Sequence, residues 1–152
     1  GGIDLALMQW PGKAIKPGGM NDFTNSNLRF STWRALEDLK NEGVVKQIGV
    51  ANYAERHLQE LLAYARVRPS VAQLEVHPYN QQTKLVSLCQ KEGIDVNSYY
   101  QVDSNLVFSQ KTVDYREDEV LKGIAAAHGK TVAQVVLRWN LQSGLTPVRR
   151  SA

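Results

Sequence analysis

The chain has 152 residues, of which 43% are hydrophobic and 22% are charged, a composition typical of a globular domain long enough to build a core. No apolar run approaches the roughly 20 residues of a membrane span, and residues 1–4 lack the basic and apolar regions of a signal peptide. The net charge is +3, but Lys and Arg are scattered rather than clustered, which argues against a nucleic-acid partner. We therefore expect one domain over residues 1–152, cytoplasmic, with no membrane or nucleic-acid partner.

The chain begins with a predicted strand. Residues 3–8 form an apolar run, and Pro11 and Gly12 end it because these residue types interrupt strand pairing. Gln9 and Trp10 are then expected at the carboxyl end of this strand.

A loop and a helix are predicted next. Residues 13–27 are rich in Pro, Gly, Asn and Ser, which is typical of a loop. A helix is predicted for residues 30–42, because apolar side chains that would cover the first strand recur there at helical spacing, at Trp33, Leu36 and Leu39. Gly43 suits the left-handed position that ends a helix.

Residues 44–53 carry the strongest strand pattern of the chain. The apolar side chains that favour a strand are Val44, Val45, Ile48 and Val50. A run this apolar is typical of a strand covered on both faces, as in parallel sheets. It ends in a polar and aromatic tip, Asn52 and Tyr53.

The same pattern of helix, glycine and apolar strand recurs through the rest of the chain. Helices are predicted at residues 54–65 and 85–89, over 120–125 and after a capping box at 131–134. Strands are predicted at residues 70–76, 94–100 and 145–148, while residues 101–116 show neither period and are predicted to form a loop. About five strands alternate with helices, so we predict an α/β fold with parallel strands.

The carboxyl ends of the predicted strands carry the residues best suited to a ligand, and ligands of parallel sheets bind at that edge. Amides can bind a planar carboxamide, aromatic rings can stack on a base, and an arginine pair can bind a phosphate. Each feature alone is also typical of packing under loops or of charge in solvent. Together they predict a nucleotide site that includes Gln9, Trp10, Asn52, Tyr53, residues 73–79, Tyr99, Tyr100, Arg149, Arg150 and Ser151.

The sequence contains no pattern typical of a metal site, a reactive cysteine, a hydrolase elbow or a phosphate-binding loop. No metal site is predicted, because the histidines fall on different elements without ligand spacing, at His57, His77 and His128. The lone Cys89 lies on an apolar helix face with Leu85 and Leu88, so we expect a buried, unreactive thiol. The sequence contains no G-x-S-x-G elbow, no G-x-G-x-x-G and no P-loop.

Six segments together resemble one family, the aldo-keto reductases, which are NADPH-dependent enzymes with a (β/α)8 barrel. In family order they are Asp4-Leu-Ala-Leu-Met-Gln-Trp-Pro-Gly12, Thr32-Trp-Arg-Ala-Leu-Glu37, Ile48-Gly-Val-Ala-Asn-Tyr53, Gln73-Leu-Glu-Val-His-Pro-Tyr79, Gly93-Ile-Asp-Val-Asn-Ser-Tyr99 and Gly129-Lys-Thr-Val-Ala-Gln-Val-Val-Leu-Arg-Trp139. The resemblance covers nearly the whole chain except the two predicted loops. It implies a partial (β/α)8 TIM barrel, from about the fourth to the eighth strand, with about five parallel strands.

The resemblance also assigns roles to individual residues. It implies that Asn52 and Gln73 hold the nicotinamide carboxamide of NADPH and that Tyr99 stacks on the nicotinamide ring. Arg150 and Ser151 stand where the family binds the adenosine 2′-phosphate with Lys and Ser.

Several positions depart from the family pattern. Gln9 occupies the position of the catalytic His, Ala51 replaces a cofactor-binding Ser, and Arg149 stands where Pro is usual. Residues 100–103 replace the Ser-Pro-Leu-Gly that begins the pyrophosphate loop. The catalytic Asp, Tyr and Lys of the family lie on its first three strands, which have no counterpart here, so no catalytic residue is assigned.

The resemblance therefore implies a truncated fragment, or an inactive remnant (a pseudoenzyme), of an NADPH-dependent oxidoreductase of aldehydes and ketones. Three hypotheses remain open: a fragment of a longer active reductase, a non-catalytic nucleotide-binding protein, and a structural partner that completes its barrel with another chain. The expected ligands are NADPH, bound weakly, and a small carbonyl compound. Because about five strands cannot close a barrel, self-association through open sheet edges is also expected.

Overall fold

The computed structural model describes residues 2–12, 22–99 and 117–148. The predicted loop at 101–116, Tyr100 and residues 149–151 lie outside the described residues. The elements in chain order are β1 (Ile3–Met8), α1 (Asp22–Asn41), β2 (Val45–Ala51), α2 (Glu55–Tyr64), β3 (Val71–Glu75), α3 (Thr83–Lys91), β4 (Asp95–Tyr99), α4 (Glu119–His128), α5 (Val132–Gln142) and β5 (Thr146–Pro147). Five parallel strands alternate with helices, which confirms the predicted α/β fold and fits a partial (β/α)8 barrel. Among these elements, no helix has the length and apolar character needed to cross a membrane.

The chain divides into two compact units, and each is described by itself. The first unit contains Gly1–Leu74 and Thr83–Val96, and the second contains Glu75–Gln82 and Asn97–Ala152. In the first unit β1 pairs in parallel with β2, and β2 pairs in parallel with β3. In the second unit the end of β4 pairs in parallel with β5.

The core of the first unit is built around β2. Its residues Ile48–Ala51 are buried, as the apolar run predicts. Gly49 is required by the close approach of β3, because an added Cβ would lie 2.4 Å from the carbonyl oxygen of Val71. Leu58 and Leu61 of α2 are fully buried, and Gly43 ends α1 with φ +75° as predicted. These features confirm the predicted strand and the helices on either side of it.

Cys89 of α3 is fully buried, as its place on the apolar face predicts. Burial raises the pKa of its thiol to about 11. The thiolate, which is the reactive form of cysteine, is therefore scarce at neutral pH.

Helix α1 is longer than the sequence predicts. It begins at Asp22, so the loop predicted for residues 13–27 is wrong from residue 22 onward. The residues on its buried face lie four apart and most are polar: Asn25, Arg29, Trp33 and Glu37. Leu39, predicted to pack inward, is 37% exposed. An apolar period could not reveal this helix start because the buried side chains of its first turns are not apolar.

The polar face of α1 binds the backbone between α2 and β3. Trp33 Nε1 donates a hydrogen bond to the Val67 carbonyl (3.2 Å), and Glu37 Oε1 accepts from the backbone N–H groups of Arg66 (2.7 Å) and Val67 (2.9 Å). Arg34 pairs with the other oxygen of Glu37 at 2.6 Å. Burial alone would raise the pKa of Glu37, but these hydrogen bonds and the Arg34 charge hold that pKa below its ordinary value. Glu37 therefore binds α1 to the segment between α2 and β3, and it does so in its ionised, carboxylate form.

The second unit packs α4 against α5. Leu121 and Val136 form a buried cluster, with Val132 and Val135 beside it. The predicted capping box is present, because the Thr131 hydroxyl accepts from Gln134 N–H while the Gln134 side chain accepts from Thr131 N–H. Gly129 ends α4 in the left-handed region, which glycine adopts freely.

The strand order identifies β1 and β5 as the first and last strands of the sheet. β5 is the last strand in that order, and its Pro147 suits an edge because proline has no N–H for strand pairing. β1 is the first strand, and Ile3 at its start is 54% exposed. Self-association through this edge stays a prediction.

Candidate functional site

The first unit brings three predicted site residues together at the carboxyl ends of neighbouring strands. Gln9 follows β1, Asn52 follows β2, and Gln73 lies near the end of β3 opposite Ala51. The Asn52 backbone N–H donates to the Gln73 carbonyl oxygen at 3.0 Å. The Asn52 side-chain Nδ2 donates to the Gln9 carbonyl oxygen at 3.1 Å. Asn52 therefore links the tips of all three strands.

The backbone of Asn52 has an unusual conformation. Its φ is 62°, in the left-handed region that non-glycine residues rarely adopt, although Asn tolerates it better than most. Directly after it, the Ala54 carbonyl accepts from His57 N–H at 3.0 Å and begins α2. A sharp change of direction between β2 and α2 thus presents the Asn52 amide at the strand tip.

The side-chain amides of Asn52 and Gln73 are more exposed than the core residues around them. Asn52 and Gln73 are half-buried and Gln9 is exposed, whereas Ala51 is 1% exposed and carries no hydrogen-bonding side chain. Within residues 2–12, 22–99 and 117–148, the Gln73 side chain forms no hydrogen bond. Each amide has both a donor and an acceptor, so the pair can bind a planar group that also has both. A carboxamide is such a group, and the residues present fit it.

A buried arginine and a half-buried glutamate form an ion pair that connects α1 to α2. Arg29 of α1 is 4% exposed, and its Nη1 donates to the Pro11 carbonyl at 2.7 Å while its Nη2 pairs with Glu60 Oε2 at 2.6 Å. Ser26 donates to the other oxygen of Glu60 at 2.5 Å. Burial would raise the pKa of Glu60, but the bonds from Arg29 and Ser26 hold that pKa below its ordinary value. We call Ser26, Arg29, Glu60 and Pro11 the Arg29 brace. The brace was not predicted from the sequence, because its partners lie 18 to 34 positions apart in the chain.

Tyr53, which is next to Asn52 in the sequence, lies in the core. It is 2% exposed, and its hydroxyl has no hydrogen-bond partner in the described part of the chain. Burial raises the pKa of this hydroxyl well above its ordinary value. Its ring packs edge-on against His57, with centroids 5.9 Å apart. Tyr53 was among the strand-tip residues predicted to contact a ligand, and its hydroxyl is closed off from solvent.

A cavity of about 270 Å³ opens beside the tip of β1. Its lining is mostly apolar and includes Met8, Trp10, Pro11, Asn25, Leu28 and Arg29. Gly12 keeps this segment close to α1, because an added Cβ would lie 2.8 Å from the Asn25 side chain. The cavity leaves room for an apolar group next to the half-exposed indole of Trp10.

The remaining predicted site residues belong to the second unit or lie outside the described residues. Tyr99 ends β4 and is half-buried. Arg150 and Ser151, like the substituted segment at residues 100–103, lie outside the described residues. The binding roles of these three residues stay predictions.

Comparisons with known proteins converge on one family. A sequence profile of the Aldo/keto reductase family matches residues 2–151. A probable NAD(P)H-dependent D-xylose reductase of Aspergillus terreus is 39% identical over 98% of this chain and 48% of its own length. The glyoxal reductase of Bacillus subtilis is 38% identical over 98% of this chain and 46% of its own length. A crystal structure of a Gox0644 mutant in complex with NADPH superposes with a TM-score of 0.79 at 33% identity, over 99% of this chain and 48% of that one.

Proposed function

Because this chain belongs to the aldo/keto reductase family, we propose that it supplies the nicotinamide-binding part of an NADPH-dependent carbonyl oxidoreductase. The chain spans about half the length of the curated relatives it matches. Reduction of an aldehyde or ketone is therefore proposed for an assembly that includes the catalytic groups, and this chain alone is proposed to be inactive. A cytoplasmic location and a single truncated domain over residues 1–152 belong to the same proposal.

One observation carries the proposal: the side chains of Asn52 and Gln73 lie at adjacent strand tips that a hydrogen bond joins. Two amides next to each other can satisfy both the C=O and the NH2 of a nicotinamide carboxamide, and this fixes the orientation of the ring. When bound, NADPH supplies a hydride to a carbonyl carbon. The chain's part in that reaction is to bind and orient, with Tyr99 proposed to stack on the ring. Arg150 and Ser151 are proposed to bind the 2′-phosphate.

Removal of either amide tests this assignment. We expect Asn52→Ala and Gln73→Ala each to weaken NADPH binding about five- to tenfold, since a net hydrogen bond contributes about 1 kcal/mol. Calorimetric titration of the full chain measures the effect. The matched control is Gln47→Ala, because Gln47 is an exposed amide on the same strand β2 at a distance from its tip. Equal affinity of all four proteins would contradict the proposal.

Cofactor choice gives a second test. A guanidinium binds a phosphate dianion in a bidentate manner, so the chain should prefer NADPH to NADH, and Arg150→Ala should reduce that preference about tenfold or more. The control is Arg138→Ala, because Arg138 is an exposed residue of α5. Binding of NADPH and NADH with equal affinity by the unmodified chain would remove the proposed role of Arg150.

A second candidate function is that of a structural partner that completes a barrel with another chain. The observation that favours it is β1, which stands first in the strand order and begins with the exposed Ile3. A strand edge of this kind can pair with a further strand. A defined oligomer in light scattering, together with no affinity for NADPH, would favour this function over cofactor binding.

A further inference from the structure

We infer that Arg29, acting with Glu60, is a positioning residue that holds Asn52 in the orientation needed for a nicotinamide carboxamide. The inference rests on the proposed function and extends it to residues that do not touch the cofactor. It is carried by the geometry of the Arg29 brace, which lies entirely within the first unit.

Arg29 fixes the two segments that flank Asn52. On one side it binds the Pro11 carbonyl, two residues after the Gln9 carbonyl that accepts from Asn52 Nδ2. On the other side it binds Glu60 of α2, the helix that begins three residues after Asn52. The guanidinium therefore couples the tip of β1 to the helix that follows β2. Asn52 binds the first of these segments through its side chain and precedes the second in the chain.

The conformation of Asn52 makes this coupling necessary. A non-glycine residue in the left-handed region is strained, and it stays there when the surrounding structure determines its position. The contacts that hold it there include the backbone bond to Gln73 and the side-chain bond to Gln9. The second requires that the segment from Gln9 to Pro11 stay in place. Arg29 supplies that restraint with a charged donor that is almost fully buried, where competition from water is small.

A lysine cannot replace this arginine. The planar guanidinium donates in fixed, diverging directions and so serves the Pro11 carbonyl and the Glu60 carboxylate at once. The ammonium of a lysine keeps the positive charge, but it concentrates that charge at one nitrogen and lacks the two diverging donor groups. We therefore expect Arg29→Lys to retain the ion pair with Glu60 and to lose the restraint on Pro11.

The test compares two ligands on the full chain. NADPH and 2′-phospho-ADP-ribose share the adenosine, 2′-phosphate and pyrophosphate, but only NADPH has the carboxamide. We expect the unmodified chain to bind NADPH more tightly, and we expect Arg29→Lys to reduce the ratio of the two affinities about tenfold. The matched control is Arg34→Lys, because Arg34 also lies on α1 and binds α2 through the Tyr64 carbonyl, but in the described part of the chain it makes no bond to the segment from Gln9 to Pro11. General destabilisation would weaken both ligands alike and leave the ratio unchanged.

The outcomes separate this inference from the function on which it rests. If the unmodified chain prefers NADPH and Arg29→Lys keeps the full preference, the inference is overturned and the proposed function stands. If the unmodified chain shows no preference for NADPH, both are overturned. If Arg29→Lys does not fold, Glu60→Gln decides, because it keeps the shape of the side chain and removes the charge that orients Arg29. We expect Glu60→Gln to lower the ratio about threefold and its control Glu55→Gln, on the same helix, to leave it unchanged; an unchanged ratio in Glu60→Gln overturns the inference.

Discussion

We expect the purified chain, tested by itself with NADPH and an aldehyde, to oxidise NADPH at least about 10²–10⁴-fold more slowly than ordinary enzymes, which turn over at roughly 1–10³ s⁻¹. Hydride transfer to a carbonyl carbon leaves negative charge on the oxygen, and a positioned donor must protonate or hold it. The loss of a general acid alone typically costs this factor. The catalytic Asp, Tyr and Lys of the family have no counterpart among the matched motifs of the 152 residues.

The groups near the proposed nicotinamide site cannot replace that acid. Gln9 donates a neutral hydrogen bond, but an amide has no proton to give at neutral pH. Tyr53 is buried, and burial raises the pKa of its hydroxyl, which makes it a weaker acid. Tyr64 is also a weak candidate, because burial raises its pKa to about 12. Tyr99, if it stacks on the nicotinamide, directs its hydroxyl away from the reacting oxygen.

The assay follows the absorbance of NADPH with nitrobenzaldehyde and glyceraldehyde as substrates. Gln9→His should not restore activity, because the catalytic Tyr and Lys of the family still have no counterpart among the matched motifs. Tyr99→Phe is the control for a relocated acid. Turnover at an ordinary enzymatic rate that disappears in Tyr99→Phe would refute the expectation and make Tyr99 the proton donor.

The second large effect concerns stability. We expect Glu37→Leu to lower the free energy of unfolding by about 3 kcal/mol, because it leaves Arg34 and the N–H groups of Arg66 and Val67 without their buried acceptor. Urea unfolding followed by circular dichroism measures the loss. Asp38→Leu is the control, since Asp38 lies on the exposed face of the same helix and its replacement should change stability by less than about 0.5 kcal/mol. Equal stability of the two variants would show that the bonds of Glu37 to Arg66 and Val67 do not stabilise the fold.

Acidification should show the same interaction in the unmodified chain. The pKa of Glu37 is lower in the folded chain than its ordinary value of 4.5, so the unfolded chain binds more protons in the acid range. The stabilisation is therefore complete above that ordinary value and is lost as the pH falls through the lowered one. Glu60 contributes in the same direction. Glu37→Gln should flatten the decline of stability below about pH 4.5, and an unchanged decline would contradict this assignment.

The strands could be predicted from sequence because their signals are local. The apolar run at β1 is followed by Pro11 and Gly12, the run at β2 comes directly after Gly43, and Gly43 and Gly129 end helices in the left-handed conformation that glycine adopts freely. The start of α1 could not be predicted, because the polar residues Asn25 and Arg29 occupy its buried face, and Arg29 binds the Pro11 carbonyl there. Burial of polar residues depends on partners far along the chain, which a periodic pattern does not record.

The candidate site could likewise be predicted only in part. Its residues could be chosen from the sequence, but the contacts that position them could not. Asn52 and Gln73 could be chosen because parallel strands present their carboxyl ends at one edge, and the structure joins their tips through a backbone hydrogen bond. The left-handed φ of Asn52 and the Arg29 brace were not predicted. Both depend on contacts between α1, α2 and the tip of β1, and these contacts exist only after the chain folds.

The central claim is that the amides of Asn52 and Gln73 bind the nicotinamide carboxamide, and nuclear magnetic resonance of their side-chain NH2 groups tests it most directly. The signals are assigned with Asn52→Asp and Gln73→Glu variants and followed in a nitrogen–proton correlation spectrum during titration. We expect both signals to shift with NADPH and to stay in place with 2′-phospho-ADP-ribose, while the Gln47 signal stays in place with either ligand. Unchanged Asn52 and Gln73 signals at saturating NADPH would contradict the account.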